Sequence, residues 1–303
     1  MKYLETINKN IIKCLKNEKK AFVFGQNINS GSYISGLSKN INKIKNIKLY
    51  NTPNCEYSMI GSGFGFVISG GAAIFFAKQL DFMLLGCDHF VNTLNSIKNN
   101  NQLHGKFKII LFVCDHGYQG SQSSFNNIDD LSSLAQFDSY QINTRFESEQ
   151  VTNFFFSKKG FDIYSVSQRL SKEEIFSENP KSYAKNFSFI EYFKGNEKTI
   201  ISSNFAFNYA LNIKKKIEKK SGKKVGLINS NFVVSPDIKY LKSKIKKQKE
   251  IIFISDSKSI NHRFFKIINE LNIKAKVKCI YRKSFSWNSQ IDNMSNNLLN
   301  SIR

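Results

Sequence analysis

The run Tyr57–Ala77 (YSMIGSGFGFVISGGAAIFFA) contains no charged residue and is the longest such stretch in the 303-residue chain. It is long enough to cross a bilayer as one helix. Its glycines argue against that. Gly70-Gly71 reads as a turn between a helix and a strand. The run then divides into a helix, Tyr57–Ser69, apolar nearly all round and so expected to be buried, and a buried strand, Ala72–Ala77. Gly61, Gly63 and Gly65 leave room for another backbone to approach. One acid, Glu56, stands at the mouth of the run. Thr52-Pro53 just before it reads as a helix start, with Thr as cap and Pro in the first turn. Taken by itself, Glu56 is an acid at a helix N-terminus, where the macrodipole favours it.

Around this stretch, short apolar runs alternate with helical patterns. Leu4, Ile7, Ile11 and Leu15 have the spacing of one helix face. Ala21–Phe24, Lys48–Tyr50, Ile109–Cys114, Tyr140–Asn143 and Phe161–Val166 read as strands. Helices are expected over Leu131–Gln136, capped by Asp129-Asp130, and over Ser148–Ser157. Another is expected after Asp81, with Leu84, Cys87, Val91 and Leu94 on one face. Beyond a charged stretch holding Pro180, the pattern resumes. Strands are expected at Thr199–Ser203, Val225–Ile228, Ile251–Ser255 and Lys276–Tyr281, and helices at Asn204–Lys220, Ile238–Ile245 and Asn261–Leu271. Strands alternating with helices predict an α/β fold with largely parallel sheets. The length exceeds one average domain. The expected division is residues 1–175, a linker over 176–195, and a second domain over 196–303.

Charge is the other conspicuous property. Lys+Arg number 45 against 23 Asp+Glu, a net +22. Such a balance would suit nucleic acid or another acidic partner. The excess is nearly all Lys, in a chain rich in Lys, Asn and Ile throughout, and Arg, the bidentate phosphate reader, is scarce. Coding bias explains that pattern, with an acidic partner subunit as the second reading. No zinc finger or aromatic-interleaved RNA motif accompanies the charge, so nucleic acid is not the expected partner. Cysteines 14, 55, 87, 114 and 279 show no CxxC spacing. That points to a reducing compartment and no metal site. The Met-Lys start lacks the layout of a signal peptide, and the expected location is the cytoplasm.

Taken in order, AFVFGQNI, NTPNCEYSMIGSGFGFVISGG, LDFMLLGCDHFVN, GYQGSQS and NFVVSPD resemble the beta subunit of thiamine-diphosphate-dependent 2-oxo acid dehydrogenases. They also resemble its relative, the C-terminal half of transketolase. The resemblance covers nearly the whole chain, is strongest from Asn51 to Asn92 and is weak after Gly195. It implies a pyrimidine-binding domain followed by a transketolase C-terminal-like domain. In that family the segment similar to NTPNCE ends in a Glu that binds the cofactor's aminopyrimidine and protonates its ring nitrogen; Glu56 holds that position. Phe82 matches the aromatic that packs on the pyrimidine, although a Phe at a helix start is as readily a core residue.

Three departures qualify the resemblance. The family's loop His has no counterpart in GYQGSQSSFNN, where Gly120 or Phe125 stands in its place. His116 upstream is the candidate replacement; the ordinary reading of a lone His in a polar loop is solvated or structural. The chain has no GDG motif followed by a downstream Asn, which in the family holds Mg2+ and the diphosphate. The resemblance therefore implies a separate alpha-type subunit carrying that half of the site, and a second copy of this chain in the assembly. Finally, Gln26 stands where the family has a Glu. The substrate implied is a 2-oxo acid or a ketose, with transketolase-like or decarboxylating chemistry. The alternative is a catalytically inactive assembly subunit of the same fold.

Overall fold

The computed structural model describes residues 1–113, 126–257, 267–272 and 274–280. They form two units. One takes in 1–113 and 130–177, the other 126–129 and 178–280.

The first unit is built on six strands: β1 (Ala21–Gly25), β2 (Ile47–Asn51), β3 (Ala72–Ala77), β4 (Lys106–Val113), β5 (Asp138–Gln141) and β6 (Gly160–Ser167). Their order is β2-β1-β3-β4-β6-β5, and every pairing is parallel. Strands covered on both faces read as continuous apolar runs; β4 and β6 are buried along nearly their whole length. The helices are α1 (Tyr3–Asn17), α2 (Glu56–Ser69), α3 (Leu80–Met83), α4 (Leu94–Asn99), α5 (Ile128–Ala135) and α6 (Thr152–Ser157). Tyr3 fastens α1 by donating from its hydroxyl to Ile142 O (2.6 Å) and accepting from Ser167 N (3.0 Å). Phe64, Phe90, Phe107, Phe137 and Phe161 form one aromatic cluster, with neighbouring ring centroids 5.0–6.3 Å apart.

The second unit holds β7 (Ser182–Tyr183), β8 (Phe189–Phe193), β9 (Lys198–Ser203), β10 (Val225–Ser230), β11 (Glu250–Ser255) and β12 (Lys276–Ile280), in the order β12-β11-β9-β10-β8-β7. The first four in that order are parallel; β8 and β7 are antiparallel additions. Helices α7 (Phe207–Ser221) and α8 (Ile238–Ile245) accompany it. Ile201, Ile228, Leu241, Ile251 and Phe253 form its buried centre.

The α/β fold with largely parallel sheets is met, and several local expectations are corrected. The stretch expected to be a linker carries β7 and β8, because Phe189, Ile190 and Tyr192 are buried against the second sheet. Helix α2 begins at Glu56 and not at Thr52-Pro53; Thr52 N instead donates to Gly25 O (3.0 Å), continuing the edge of β2. The expected burial of α2 all round fails too. Tyr57 and Ile68 are exposed, and so are Ser58, Ser62, Gly65 and Ser69. Beyond β3 there is no single helix. Short α3 gives way to a 3-10 turn at Leu84–Gly86, a π turn at His89–Thr93 and then α4. Leu84 and Leu85 face outward there (Leu85 61% exposed), while Met83, Phe90 and Leu94 are buried. The helix expected over Ser148–Ser157 opens at Arg145, three residues earlier, and passes through π geometry at Glu147–Val151. The turn between α2 and β3 is as expected, with Gly70 at φ 80°, the left-handed cap that glycine accepts. Among the described residues no helix is long and apolar enough to cross a membrane, and no group of His, Cys, Asp and Glu could hold a metal.

Candidate functional site

In the first sheet the chain passes from β1 to β2 on one side and then returns to β3 on the other. The β1/β3 boundary is therefore a topological switch point, and the crevice outside the carboxyl ends of the strands there is where open α/β sheets bind ligands. Three segments leave the sheet at this edge: 26–30 from β1, 52–56 from β2 and 78–82 from β3.

Gly25 ends β1 at φ 152°, and a Cβ there would lie 2.4 Å from Phe76 O of β3. Only glycine lets the two strands end side by side. Asn51 then fixes the next segment: its Oδ1 accepts from Ile28 N (2.9 Å) and Asn29 N (3.0 Å), and its Nδ2 donates to Ser30 Oγ (3.1 Å). Further along, Tyr33, Ile34 and Ser35 hold φ of 51°, 49° and 55°. Left-handed backbone costs about 1–2 kcal/mol per non-Gly residue. Burial of Ile34 and the bond from Ser38 Oγ to Ile28 O (2.8 Å) hold it in place. Gln26 is half-buried just past β1.

Glu56 is the first residue of α2 and is 7% exposed. Its carboxyl has no hydrogen-bond or ion-pair partner among the described residues. As the first residue of α2 it stands where the helix dipole favours an acid. Helix α2 is held by close packing on the segment that follows α3. A Cβ on Gly86 would meet Ile60 Cδ1 at 2.1 Å, and one on Gly61 would meet His89 Nε2 at 2.8 Å. The His89 ring lies 4.2 Å from that of Tyr57. Helix α2 and the segment that follows α3, residues 84–93, are thus parts of one packed block.

Phe82 is half-buried in α3. Beside it is a residue whose chemistry the sequence did not disclose. Asp81 was expected to cap a helix, but the N-cap position is Gln79. Burial pushes the Asp81 carboxyl up from 3.8 to about 6, against the opposing pull of a hydrogen bond from its own backbone. An Asp before an aromatic carries no sequence signal for this. Asn51 was likewise legible only as a strand end.

Of the sequence-predicted site residues, Glu56 and Phe82 lie on segments leaving the same sheet edge. His116 and the positions Gly120 and Phe125 fall outside the described residues, as does most of the loop that holds them. The cysteines among the described residues, 14, 55, 87 and 279, are free, and burial raises the Cys14 thiol to about 11. Cys14 is therefore inert at neutral pH.

No protein-family model and no curated protein matches the chain. Solved structures do match it in shape. A split-gene transketolase, described as an inactive beta4 tetramer, superposes with a TM-score of 0.72 at 13% identity, over 98% of this chain and 95% of that one. Transketolase from Campylobacter jejuni subsp. jejuni NCTC 11168 gives 0.74 at 11% identity, over 99% of this chain and 46% of its own. The chain spans about half the length of that transketolase. The fold is the transketolase type, and the expected likeness to the C-terminal half of transketolase holds at the level of fold.

Proposed function

We propose that the chain is the beta-type subunit of a two-subunit thiamine-diphosphate enzyme, of transketolase-like or 2-oxo acid decarboxylating type. The observation that carries the reading is Glu56: a buried carboxyl, without a partner among the described residues, at the switch point of a transketolase-type sheet. A buried acid in that state fits a ligand presenting a ring nitrogen to it, and half-buried Phe82 offers a face for a flat ring.

When bound, thiamine diphosphate supplies the stabilised carbanion that cleaves or forms a bond next to a carbonyl. The protein's part is positioning and proton handling. Glu56 holds a proton at the pyrimidine nitrogen, and its place in the rigid first turn of α2 fixes that proton's direction. Phe82 orients the ring. Asn51 holds the 28–30 segment against the same edge. Asp81, titrating near pH 6, is a second group able to exchange protons there. His116 is the group assigned to the substrate side. Diphosphate and Mg2+ fall to an alpha-type partner, since this chain carries no GDG motif.

The test is to express the chain with an alpha-type thiamine-diphosphate-binding protein from the same organism, purify the pair, and titrate thiamine diphosphate with Mg2+. The proposal expects a stable heteromer that binds one cofactor per chain pair, and neither chain alone binding it tightly. A heteromer that forms and binds no cofactor would make this an assembly subunit and end the catalytic reading.

A further inference from the structure

At the opposite edge of the first sheet, where β1, β3 and β4 begin, lies a cavity of about 950 Å³. It is in the size range of small-molecule sites, and the proposed catalytic role makes no use of it. Its floor is backbone brought unusually close. A Cβ on Gly105 would lie 2.3 Å from Gly71 O, and one on Gly71 would lie 2.8 Å from Phe66 Cδ1. Glycine at both positions keeps the floor low and the Phe66 ring in place. That ring stacks on Phe22, with centroids 5.4 Å apart and planes 5° from parallel. Both rings are half-buried and line the cavity.

The rim is cationic. Lys19, Lys20, Lys48, Lys106 and Lys159 line it with a single acid, Glu18. Glu18 is taken up by Lys106 (2.7 Å). The other four lysines have no carboxylate partner among the described residues. Lys19 and Lys20 follow the C-terminus of α1, where the helix dipole accounts for cations. It does not account for Lys48, which stands on β2. Like charges around one concavity focus a positive potential into it.

We infer that this cavity is a binding site for a nucleoside polyphosphate, its base against the Phe22–Phe66 wall and its phosphates among Lys19, Lys20, Lys48 and Lys159. A flat ring gains from stacking on an aromatic face, and a phosphate chain gains from ammonium groups that no carboxylate neutralises. The site is separate from the one assigned to Glu56, which lies at the other end of the strands.

Calorimetric titration of the full chain with ATP at 150 mM salt tests it. Saturable binding of one equivalent is expected, weakened at least tenfold in K20Q/K48Q. Both lysines are exposed, so the melting temperature should not change. F66L, which keeps bulk and removes the ring, should weaken ATP and leave inorganic triphosphate unaffected. K215Q/K216Q on α7 should change nothing. Absence of saturable ATP binding would overturn the inference, as would equal loss in K215Q/K216Q or indifference to K20Q/K48Q. Triphosphate binding as tightly as ATP would overturn the nucleoside assignment.

Discussion

Replacing Asp162 by Asn should destabilise the first unit far more than replacing its partner Lys108 by Met. Lys108 is 0% exposed on β4, and its ammonium donates to Asp162 on the adjacent strand β6. Asp162 also receives Lys158 (2.8 Å), which in turn holds Asp138 (2.7 Å). Burial pulls the Lys108 ammonium below its usual range, and Asp162 opposes this. For Lys158 burial acts the same way, but Asp162 and Asp138 outweigh it and raise it. Asp162→Asn removes the one carboxylate that Lys108 meets among the described residues and leaves a fully buried cation without it, at about 3–5 kcal/mol. Lys108→Met also removes a buried charge, but Asp162 keeps Lys158; the expected cost is about 0–2 kcal/mol. At roughly 2–4 °C per kcal/mol for a domain of this size, Asp162→Asn lowers the melting temperature by roughly 6–20 °C. Urea unfolding followed by circular dichroism measures both. An Asp162→Asn cost below about 1 kcal/mol, or a Lys108→Met cost equal to it, would refute the asymmetry.

Asp81 gives a pH signature. Its folded value is raised from 3.8 to about 6, so its contribution is fully present below about pH 4 and is lost as pH rises through 6. Wild-type stability should therefore fall relative to Asp81→Asn across that window, and parallel stability–pH curves would count against the shift. Gly63 and Gly65 make a matched pair on α2. A Cβ on Gly63 would lie 2.4 Å from the buried Phe107 ring, whereas Gly65 has nothing within 4 Å. Gly63→Ala should cost about 1–3 kcal/mol and Gly65→Ala should stabilise by up to about 1 kcal/mol through helix propensity; chemical denaturation reads both.

The strands were the most legible part of the chain. Buried parallel strands are short unbroken apolar runs, and AFVF, AAIFFA and IILFVC could be little else. Gly70-Gly71 marked the turn after α2 correctly because a left-handed cap needs glycine there. Where a tertiary contact decided the outcome, the sequence misled. Leu84 was placed on a buried face by spacing, but the helix gives way to a 3-10 turn at Leu84–Gly86, where Gly86 packs on Ile60 and Leu84 and Leu85 are exposed. Helix α2 looked buried all round because Ser and Gly within an apolar run do not announce an exposed face. Strands β7 and β8 were hidden because the flanking residues are charged and the pairing is antiparallel, outside the βαβ rhythm. Lys108 and Asp162 could not be paired by eye, since only the β4/β6 register brings them together. At the candidate site, Glu56 and Phe82 were singled out only by the resemblance, while Asp81 and Asn51 emerged only from burial and bonding.

The central claim is that Glu56 delivers a proton to the cofactor's pyrimidine ring. It is tested most directly by proton–deuterium exchange at the thiazolium carbon of thiamine diphosphate bound to the assembled heteromer, followed by NMR. Glu56→Gln should slow that exchange by roughly 10²–10⁴-fold, the usual worth of a positioned acid or base, while the heteromer still forms. Exchange at the wild-type rate in a correctly assembled, cofactor-loaded Glu56→Gln complex would contradict the account.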